Sequence, residues 1–374
     1  MQEKETTNII INATAAHSSG ALSILKNFMD YLYSINQKQT IFYLLTTTKG
    51  EFKNTDNVIV KELPIKNWLS RMKWDRGGLQ KWCILNNIIP SVVVSFQNTC
   101  SRFTGKFRAV RSLVYYHQTL PLIKYPWKCL NKQEYKLFLY AHFYKFFVNR
   151  WNKNAKYVVQ LPYIKQLFCK KFKNITPERV QVIRPNLPFI DINSIVAKKI
   201  AENKKLFIFP ATAFEYKNHK IILDAVELLK KEESDIEDKI EIIFTVPSES
   251  MIAKKVCDKE LNTIIKCIGS VPYEELLSYY KRCDGVLFPS KIESFGLPLV
   301  EAALFGVPII AADLPYAKEV LERYEGVFFV DVDNPHEWKA YIKQLFQTDE
   351  KYKPLTQNEQ NTWKDFIDLM NSLL

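Results

Sequence analysis

Short apolar runs recur along the first half of the chain, and longer segments with a helical period separate them. The runs that read as strands cover residues 8–12, 40–45, 58–63, 92–96, 113–116, 157–160 and 180–183. The clearest helical patterns between them cover residues 21–34 and 75–87. Such alternation of single strands with helices predicts a mostly parallel sheet that carries helices on both faces.

The second half repeats this pattern, so we expect an α/β protein with two doubly wound, Rossmann-like domains. Its strands are predicted at 206–209, 240–246, 264–268, 286–288 and 307–311, and its helices at 219–231 and 273–281. At 374 residues the chain exceeds what one hydrophobic core usually supports. We place the boundary in the proline-containing stretch 184–191, which gives domains at 1–185 and 186–356. The remaining residues, 357–374, have the pattern of an amphipathic helix.

Residues 284–318 form the most informative stretch of the sequence. Pro298 suits the first turn of a helix, and Gly306 suits its left-handed end. The predicted strand, loop and helix leave the backbone N–H groups of 295–297 free at a helix start, where anions and diphosphates bind. Glu293 precedes this helix and Glu301 lies inside it, so two carboxylates are available to accept hydrogen bonds from hydroxyl groups.

The run from Glu293 to Glu301 (ESFGLPLVE) resembles the two-glutamate signature of the family-four retaining glycosyltransferases, which use nucleotide sugars and have the GT-B fold. The flanking FPS at 288–290 and GVP at 306–308 fit the same signature. The resemblance implies two domains facing a central cleft, with the C-terminal helix (357–374) packing back on the first domain. It also implies that Glu293 contacts the donor sugar and Glu301 holds the ribose hydroxyls. The backbone amides that would meet the diphosphate belong to Phe295, Gly296 and Leu297.

The family has a glycine and an arginine after the first strand of the second domain, and a lysine a few residues later. Lys217 matches the lysine, but Ala211 and Thr212 stand in place of the glycine and arginine. One cation of the family pattern is therefore missing. Either Lys217 carries more of the leaving-group charge with help from its neighbours, or a cation from elsewhere replaces the arginine. The candidate helpers are Asn218 and His219, and the candidate replacement is Arg184.

Three further residues are assigned through the resemblance. His117 follows a predicted strand of the first domain and is expected near the anomeric centre of the donor sugar; the alternative is a buried histidine satisfied by a backbone carbonyl. Gly20 lies in a small, polar loop and is expected beside the donor phosphate. The glycine-rich dinucleotide fingerprint is absent, which removes the main support for a nicotinamide enzyme. Val271 is expected where backbone meets the nucleobase.

Charge is distributed unevenly between the two halves. Residues 1–185 contain 29 Lys and Arg against 9 Asp and Glu, a net charge of +20, whereas the remainder has a net charge of −8. Seven scattered cysteines without a CxxC pair favour a reducing cytoplasm and no zinc site or disulfide frame. The first residues are acidic, so no signal peptide is expected, and no apolar run approaches the roughly 18 residues of a membrane span.

Residues 124–156 mix eight Lys and Arg with many aromatic residues. On a helix the aromatic residues form two stripes. One stripe contains Tyr135, Leu139, His142, Phe143 and Phe146, and the other contains Tyr140, Tyr144, Phe147 and Trp151. This composition suits the surface of an anionic membrane; the alternative is that both stripes are buried against neighbouring helices. Nucleic acid is not expected as a partner, because no binding motif is present.

The sequence thus predicts a metal-independent, retaining glycosyltransferase without a cofactor. Its donor would be a nucleotide-diphosphate sugar, and its acceptor a lipid-linked or growing bacterial surface glycan such as O-antigen or capsule. We expect a cytoplasmic protein attached peripherally to the inner membrane. Asp331 and Asp333 imitate a metal-binding acid pair, but we expect them in a solvated loop. Two alternatives stay open: a nucleotide-sugar epimerase or hydrolase of the same fold, and an inactive scaffold subunit that binds nucleotide sugar.

Overall fold

The computed structural model describes residues 6–17, 19–35, 37, 39–65, 67–127, 132–148, 150–186, 190–199, 204–349, 351–356 and 362–374. The chain divides into two compact units. The first comprises Met1–Pro188 together with Glu359–Leu374, and the second comprises Phe189–Asn358.

The first unit is built on a parallel sheet. Its strands are β1 (Thr7–Ala13), β2 (Thr40–Thr46), β3 (Val58–Glu62), β4 (Val92–Ser95), β5 (Arg111–Tyr116), β6 (Lys156–Val159) and β7 (Val180–Val182). Its helices are α1 (Ser19–Ser34), α2 (Trp68–Lys73), α3 (Leu79–Leu85), α4 (Lys132–Phe143), α5 (Lys145–Val148) and α6 (Pro162–Lys171). The strands follow the order β3-β2-β1-β4-β5-β6-β7 in the sheet. All the described pairs are parallel.

The second unit repeats the architecture. Its strands are β8 (Lys205–Phe209), β9 (Ile240–Phe244), β10 (Ile265–Cys267), β11 (Gly285–Phe288), β12 (Ile309–Ala312) and β13 (Val327–Val330). Its helices are α7 (His219–Glu232), α8 (Ile236–Lys239), α9 (Met251–Asp258), α10 (Tyr273–Arg282), α11 (Leu297–Leu304), α12 (Pro315–Val320) and α13 (Pro335–Phe346). The parallel strands follow the order β10-β9-β8-β11-β12-β13.

The predicted α/β class is confirmed, and every strand predicted from an apolar run is present within two residues of its expected ends. These runs were recognisable because strands of a parallel sheet are buried on both faces and therefore lack polar alternation. In β4, for example, all four side chains are buried. No helix among the described residues combines the length and the apolarity that crossing a bilayer would require.

The predicted helix 75–87 was wrong at its start. The helical segment begins at Trp68, where Asn67 and Ser70 form a capping box. A π-helical turn, Trp74–Gly78, then separates α2 from α3. Asp75 resembles a helix start in the sequence, but it lies inside this turn, and its buried carboxylate accepts hydrogen bonds from side chains of the loop after β4. A π-helical turn inside a helix often marks a functional position.

The terminal helix α14 (Trp363–Asn371) packs on the first unit, which confirms the expectation drawn from the resemblance. The fully buried ring of Trp363 contacts Phe28, Phe96 and Tyr115, with ring centroids 5.2, 6.4 and 5.3 Å apart. Its indole N–H donates to Oδ1 of Asn27 over 2.6 Å. The helix therefore completes the aromatic core above the first sheet.

We predict that Trp363→Ala destabilises the first unit by about 3–5 kcal/mol, because the change leaves a large cavity and strips Asn27 of its donor. The matched control is Lys364→Ala on the same helix, whose solvent-exposed ion pair with Asp368 should contribute little to stability. Urea denaturation followed by circular dichroism measures both variants. Equal unfolding midpoints for the two would contradict the packing described here.

Candidate functional site

The candidate site of the second unit lies at the carboxyl ends of its central strands. Strand β8 pairs with β11 in parallel, so the loops that follow these two strands emerge side by side. The backbone N–H of Lys291 donates to the carbonyl of Tyr216 over 2.8 Å and joins the two loops. In open α/β sheets, ligands bind at this edge.

Two of the predicted catalytic residues meet here. Nζ of Lys217 lies 2.6 Å from Oε1 of Glu293, and the two side chains are only 15% and 13% exposed. Lys217 ends a short 3-10 turn, Glu215–Lys217, and the left-handed conformation of Asn218 (φ 62°) leads from it into α7. The pair places a cation and a carboxylate side by side at the carboxyl edge of the sheet.

The loop before α11 provides the predicted backbone amides. Gly296 has φ 88°, and a Cβ at this position would lie 3.2 Å from the Leu299 side chain, so glycine is strongly favoured. Among the described residues, the N–H groups of Phe295, Gly296 and Leu297 donate no hydrogen bond within the protein. Tyr316 supports the loop from below by donating to the carbonyl of Ser290 over 2.6 Å. The amides are therefore held in place and available to an anion.

Glu301 lies inside α11 and is almost completely buried. It accepts a hydrogen bond from the phenol of Tyr280 with an O–O distance of 3.4 Å, and the phenol of Tyr273 lies near enough to lower its pKa. Burial raises the pKa of Glu301 to about 7, and the two phenols oppose that rise. The sequence analysis assigned no role to either tyrosine. Their spacing of seven residues places them on one face of α10, and this was the available signal.

The two candidate helpers of Lys217 are engaged in the fold. The Asn218 side-chain amide donates to the carbonyl of Val332 over 2.8 Å. The His219 ring is buried between Phe209 and Phe244, with centroids 4.5 and 5.1 Å away. Burial, and secondarily the charge of Lys217, lowers the pKa of His219 to about 3. The imidazole is therefore neutral at pH 7 and adds no positive charge.

The loop after β13 contacts the loops that carry Asn218 and Lys291. Asp331 and Asp333 are exposed, as expected of a solvated loop. However, Val332 accepts the hydrogen bond from Asn218, and Asp333 pairs with Lys291 over 2.5 Å. Among the described residues, no group of three or more His, Cys, Asp or Glu side chains is placed to hold a metal ion.

His117, the candidate of the first unit, comes directly after β5. Its backbone N–H donates to Oδ1 of Asn98 over 2.6 Å, and Nε2 lies 3.5 Å from the amide nitrogen of the same side chain. Asn98 itself has φ 63°, a conformation in which asparagine is tolerated. Burial lowers the pKa of His117 to about 4, so its imidazole is neutral at pH 7.

Gly20 and Val271, the two other candidates, occupy plain loop-to-helix positions. Gly20 is the second residue of α1, and a Cβ there would meet no atom within 4 Å. The fold of the first unit therefore does not itself require glycine at this position. Val271 is partly exposed in the loop between β10 and α10, two residues before Tyr273. Its neighbour Pro272 directly precedes α10.

A polar network that the sequence analysis missed lies at the carboxyl edge of the first sheet, in the loops that follow β1 and β4. Asp75 accepts hydrogen bonds from Gln97, Thr99 and Ser101 over 2.9, 2.7 and 2.9 Å. Thr14 in turn donates to Gln97 over 2.6 Å, which ties the loop after β1 to the loop after β4. Burial raises the pKa of Asp75 to about 6, although the three hydrogen bonds lower it. The signal available in the sequence was the polar run QNTCS directly after an apolar strand.

Only one of the two aromatic stripes faces solvent. Tyr144 of the second stripe is buried and donates to the carbonyl of Gln97, and Tyr140 stacks on it at 4.1 Å. In the first stripe Phe143 and Phe146 are 50% and 59% exposed. Lys128 and the side chain of Lys132 lie outside the described residues. The alternative that both stripes are buried therefore holds for the stripe that contains Tyr144, whose hydroxyl finds a polar partner at the sheet edge, and not for Phe143 and Phe146.

Residues 191–362 match the family model of glycosyl transferases group 1. A curated relative, the O-antigen chain mannosyltransferase RfbU of Salmonella typhimurium, is 25% identical over 238 residues. That alignment covers 62% of this chain and 64% of the relative. The chain thus spans less than two thirds of the length of this relative.

Solved glycosyltransferase structures resemble the whole chain. WaaG, a glycosyltransferase involved in lipopolysaccharide biosynthesis, superposes with a TM-score of 0.67 at 12% identity, covering 97% of this chain and 99% of WaaG. HepE of Anabaena, solved in complex with UDP and glucose, gives 0.62 at 14% identity, covering 98% of this chain and all of HepE. With the two parallel sheets, these similarities confirm the GT-B fold.

Proposed function

We propose that this chain, whose residues 191–362 match the family model of glycosyl transferases group 1, transfers a sugar from a nucleotide-diphosphate donor to a bacterial surface glycan. The observation that carries the proposal is the Lys217–Glu293 ion pair at the carboxyl edge of the second sheet, in the same unit as the unused amides of 295–297. A diphosphate is the ligand that a lysine and a helix-start amide cluster suit together.

In this proposal the diphosphate takes Lys217 away from Glu293. The lysine and the amides then stabilise the charge that develops as the anomeric bond breaks, often the largest single contribution to catalysis. The released Glu293 carboxylate accepts hydroxyls of the donor sugar, and Glu301 accepts those of the ribose. The arginine of the family pattern is absent and His219 is neutral, so Lys217 supplies most of the local positive charge.

We further propose that the transfer retains the anomeric configuration. No carboxylate is assigned as a nucleophile, so attack by the acceptor on the same face, through an oxocarbenium-like state, is the route we favour. The solved HepE complex with UDP and glucose supports a nucleotide-sugar donor. RfbU and WaaG, which are named for O-antigen and lipopolysaccharide synthesis, support an acceptor of the surface-glycan class.

We predict that Lys217→Ala lowers donor turnover about 100- to 1,000-fold, because one charge-stabilising contact to the leaving group is lost. Lys220→Ala is the matched control: this lysine lies on the same helix start, is exposed and pairs only with Asp224 among the described ion pairs. Turnover is measured as nucleotide release from purified protein, after a screen of nucleotide sugars identifies the donor.

The same assay separates the alternatives. A transferase releases nucleotide quickly only with a lipid-linked acceptor, whereas an epimerase or hydrolase acts on the donor alone. A scaffold subunit binds the donor without turnover. Wild-type turnover in folded Lys217→Ala protein would overturn the site assignment.

A second prediction concerns metal ions: donor turnover continues after metal stripping and in excess EDTA. The physical reason is that Lys217 and backbone amides provide the charge at the phosphate. Asp333, one of the two acids that imitate a metal site in the sequence, instead forms an ion pair with Lys291. Turnover that is abolished by EDTA and restored by manganese or magnesium refutes it.

We also propose that the first unit docks on the cytoplasmic face of an anionic membrane. Phe143 and Phe146 expose apolar rings beside Lys136 and Lys145. Trp68 of α2, which is 43% exposed, contacts Phe147 at 5.8 Å and extends this aromatic-basic surface. Each basic residue near an anionic leaflet contributes about 1 kcal/mol, so several suffice for reversible attachment. A membrane-bound enzyme would meet a lipid-linked acceptor at this surface.

Flotation with liposomes tests the docking proposal. Wild-type protein is expected to float with anionic vesicles and to remain in the bottom fraction of the gradient with neutral vesicles. The double variant Lys136→Glu, Lys145→Glu should lose flotation, and so should Phe143→Ser, Phe146→Ser. The control is Lys254→Glu, Lys255→Glu, which makes the same charge change at exposed positions of the second unit. If the control loses flotation equally, net charge rather than this surface is responsible, and the docking proposal fails.

A further inference from the structure

Glu301 is held in an unusual way for a buried carboxylate. Its side chain is only 7% exposed, yet it has no lysine or arginine partner among the described ion pairs. Within the described chain the phenol of Tyr280 donates a hydrogen bond to it, and the phenol of Tyr273 lies near enough to lower its pKa. A buried charge without a cation is costly, so an arrangement of this kind calls for an explanation beyond packing.

Both phenols come from one face of α10. Tyr273 is the first residue of the helix, and Tyr280 lies two turns later. Tyr280 is fully buried and packs beside Phe305 at 5.9 Å, so its hydroxyl has little freedom. Burial raises the pKa of both phenols above their ordinary range, so both hydroxyls stay protonated and act as donors toward the carboxylate.

The geometry leaves part of the carboxylate unused. An ionised carboxylate has about four acceptor positions, and the two phenols can occupy at most two of them. Two positions therefore stay available, the number that a vicinal diol of a ribose needs. Tyr273 also keeps 38% of its surface exposed and follows the loop 268–272, so the carboxylate is held close to the loop that would meet the nucleobase.

We propose that Tyr273 and Tyr280 are positioning residues that orient the Glu301 carboxylate toward the ribose hydroxyls of the donor nucleotide. This inference rests on the proposed function, since it concerns the same donor. Neither tyrosine needs to touch the reacting atoms: both act through Glu301.

If the tyrosines position Glu301, donor affinity should follow the ionisation of Glu301, whereas a purely structural role of the tyrosines predicts no such pH dependence. The ionised form of Glu301 accepts hydroxyl groups more strongly than the protonated form and has more acceptor positions, and the pKa of this group is about 7. Donor affinity is therefore expected to fall as the pH drops below about 7. The other groups near the two phenols are the Glu274 carboxylate and the buried thiol of Cys283, which reach Glu301 only through the tyrosines. Removing a phenol raises the pKa of Glu301 further, because the hydrogen bonds lower it.

The experiment measures binding of UDP, GDP, ADP and CDP by calorimetry between about pH 6 and about pH 9. A rise of about one unit in the pKa of Glu301 reduces its ionised fraction at pH 7 about fivefold and leaves it nearly unchanged at pH 9. Tyr280→Phe and Tyr273→Phe should therefore bind the tightest of these nucleotides about fivefold more weakly at pH 7 and nearly normally at pH 9. The nucleotide's own ionisation cancels in the comparison with wild type.

Two controls sharpen the result. Tyr279→Phe makes the same substitution on the same helix, but this tyrosine faces Lys198 and does not contact Glu301, so it should bind like wild type. The 2′,3′-dideoxy analogue of the chosen nucleotide lacks the diol, so the difference between wild type and Tyr280→Phe should disappear with it. Glu301→Gln should bind weakly, with no pH dependence beyond that of the nucleotide.

The possible outcomes separate this inference from the proposed function. Wild-type affinities for both variants at every pH, or an equal loss with the dideoxy analogue, would overturn the positioning role while leaving the donor site intact. If wild-type protein binds none of the four nucleotides, both the inference and the proposed function fail.

Discussion

The parallel pairing of β8 with β11 is the constraint on which the candidate site depends. It brings together Lys217 and Glu293, which are 76 positions apart in the chain, and allows them to form an ion pair. Removing one partner of a largely buried pair leaves the other charge unpaired, at a cost of about 3–5 kcal/mol. The pair therefore keeps both side chains ordered without a ligand. A diphosphate competes for the lysine because it carries more negative charge than one carboxylate.

Burial determines which nearby groups carry charge at neutral pH. In the second unit it makes His219 neutral and leaves Glu301 half ionised near pH 7. In the first unit it makes His117 neutral. A neutral imidazole can still donate or accept a hydrogen bond, so His117 remains suited to a sugar hydroxyl rather than to a phosphate. Because His219 adds no charge, Lys217 is the cation that we assign to a departing diphosphate.

Local chemistry explains what the sequence predicted well. Gly306 has φ 70°, and a Cβ there would lie 2.3 Å from the carbonyl oxygen of Tyr352, so the glycine that ends α11 was recognisable. The apolar strands were equally recognisable because they are buried on both faces. Contacts between distant segments could not be recognised from the sequence. No local pattern indicates that Tyr280 donates a hydrogen bond to Glu301, or that Asp75 lies in a π-helical turn and accepts hydrogen bonds from the loop after β4.

The two aromatic stripes of residues 135–151 illustrate the same limit. By hydrophobicity the phenylalanine-rich stripe should be buried, and the tyrosine-rich stripe exposed. The structure has the reverse, because Tyr144 can satisfy the Gln97 carbonyl at the polar edge of the sheet and phenylalanine cannot. Phe143 and Phe146 thereby stay 50% and 59% exposed, so burying the rest of either ring would add about half of the roughly 1.5–3 kcal/mol that full burial of such a side chain contributes. An apolar partner, such as the membrane interface proposed above, would recover that free energy.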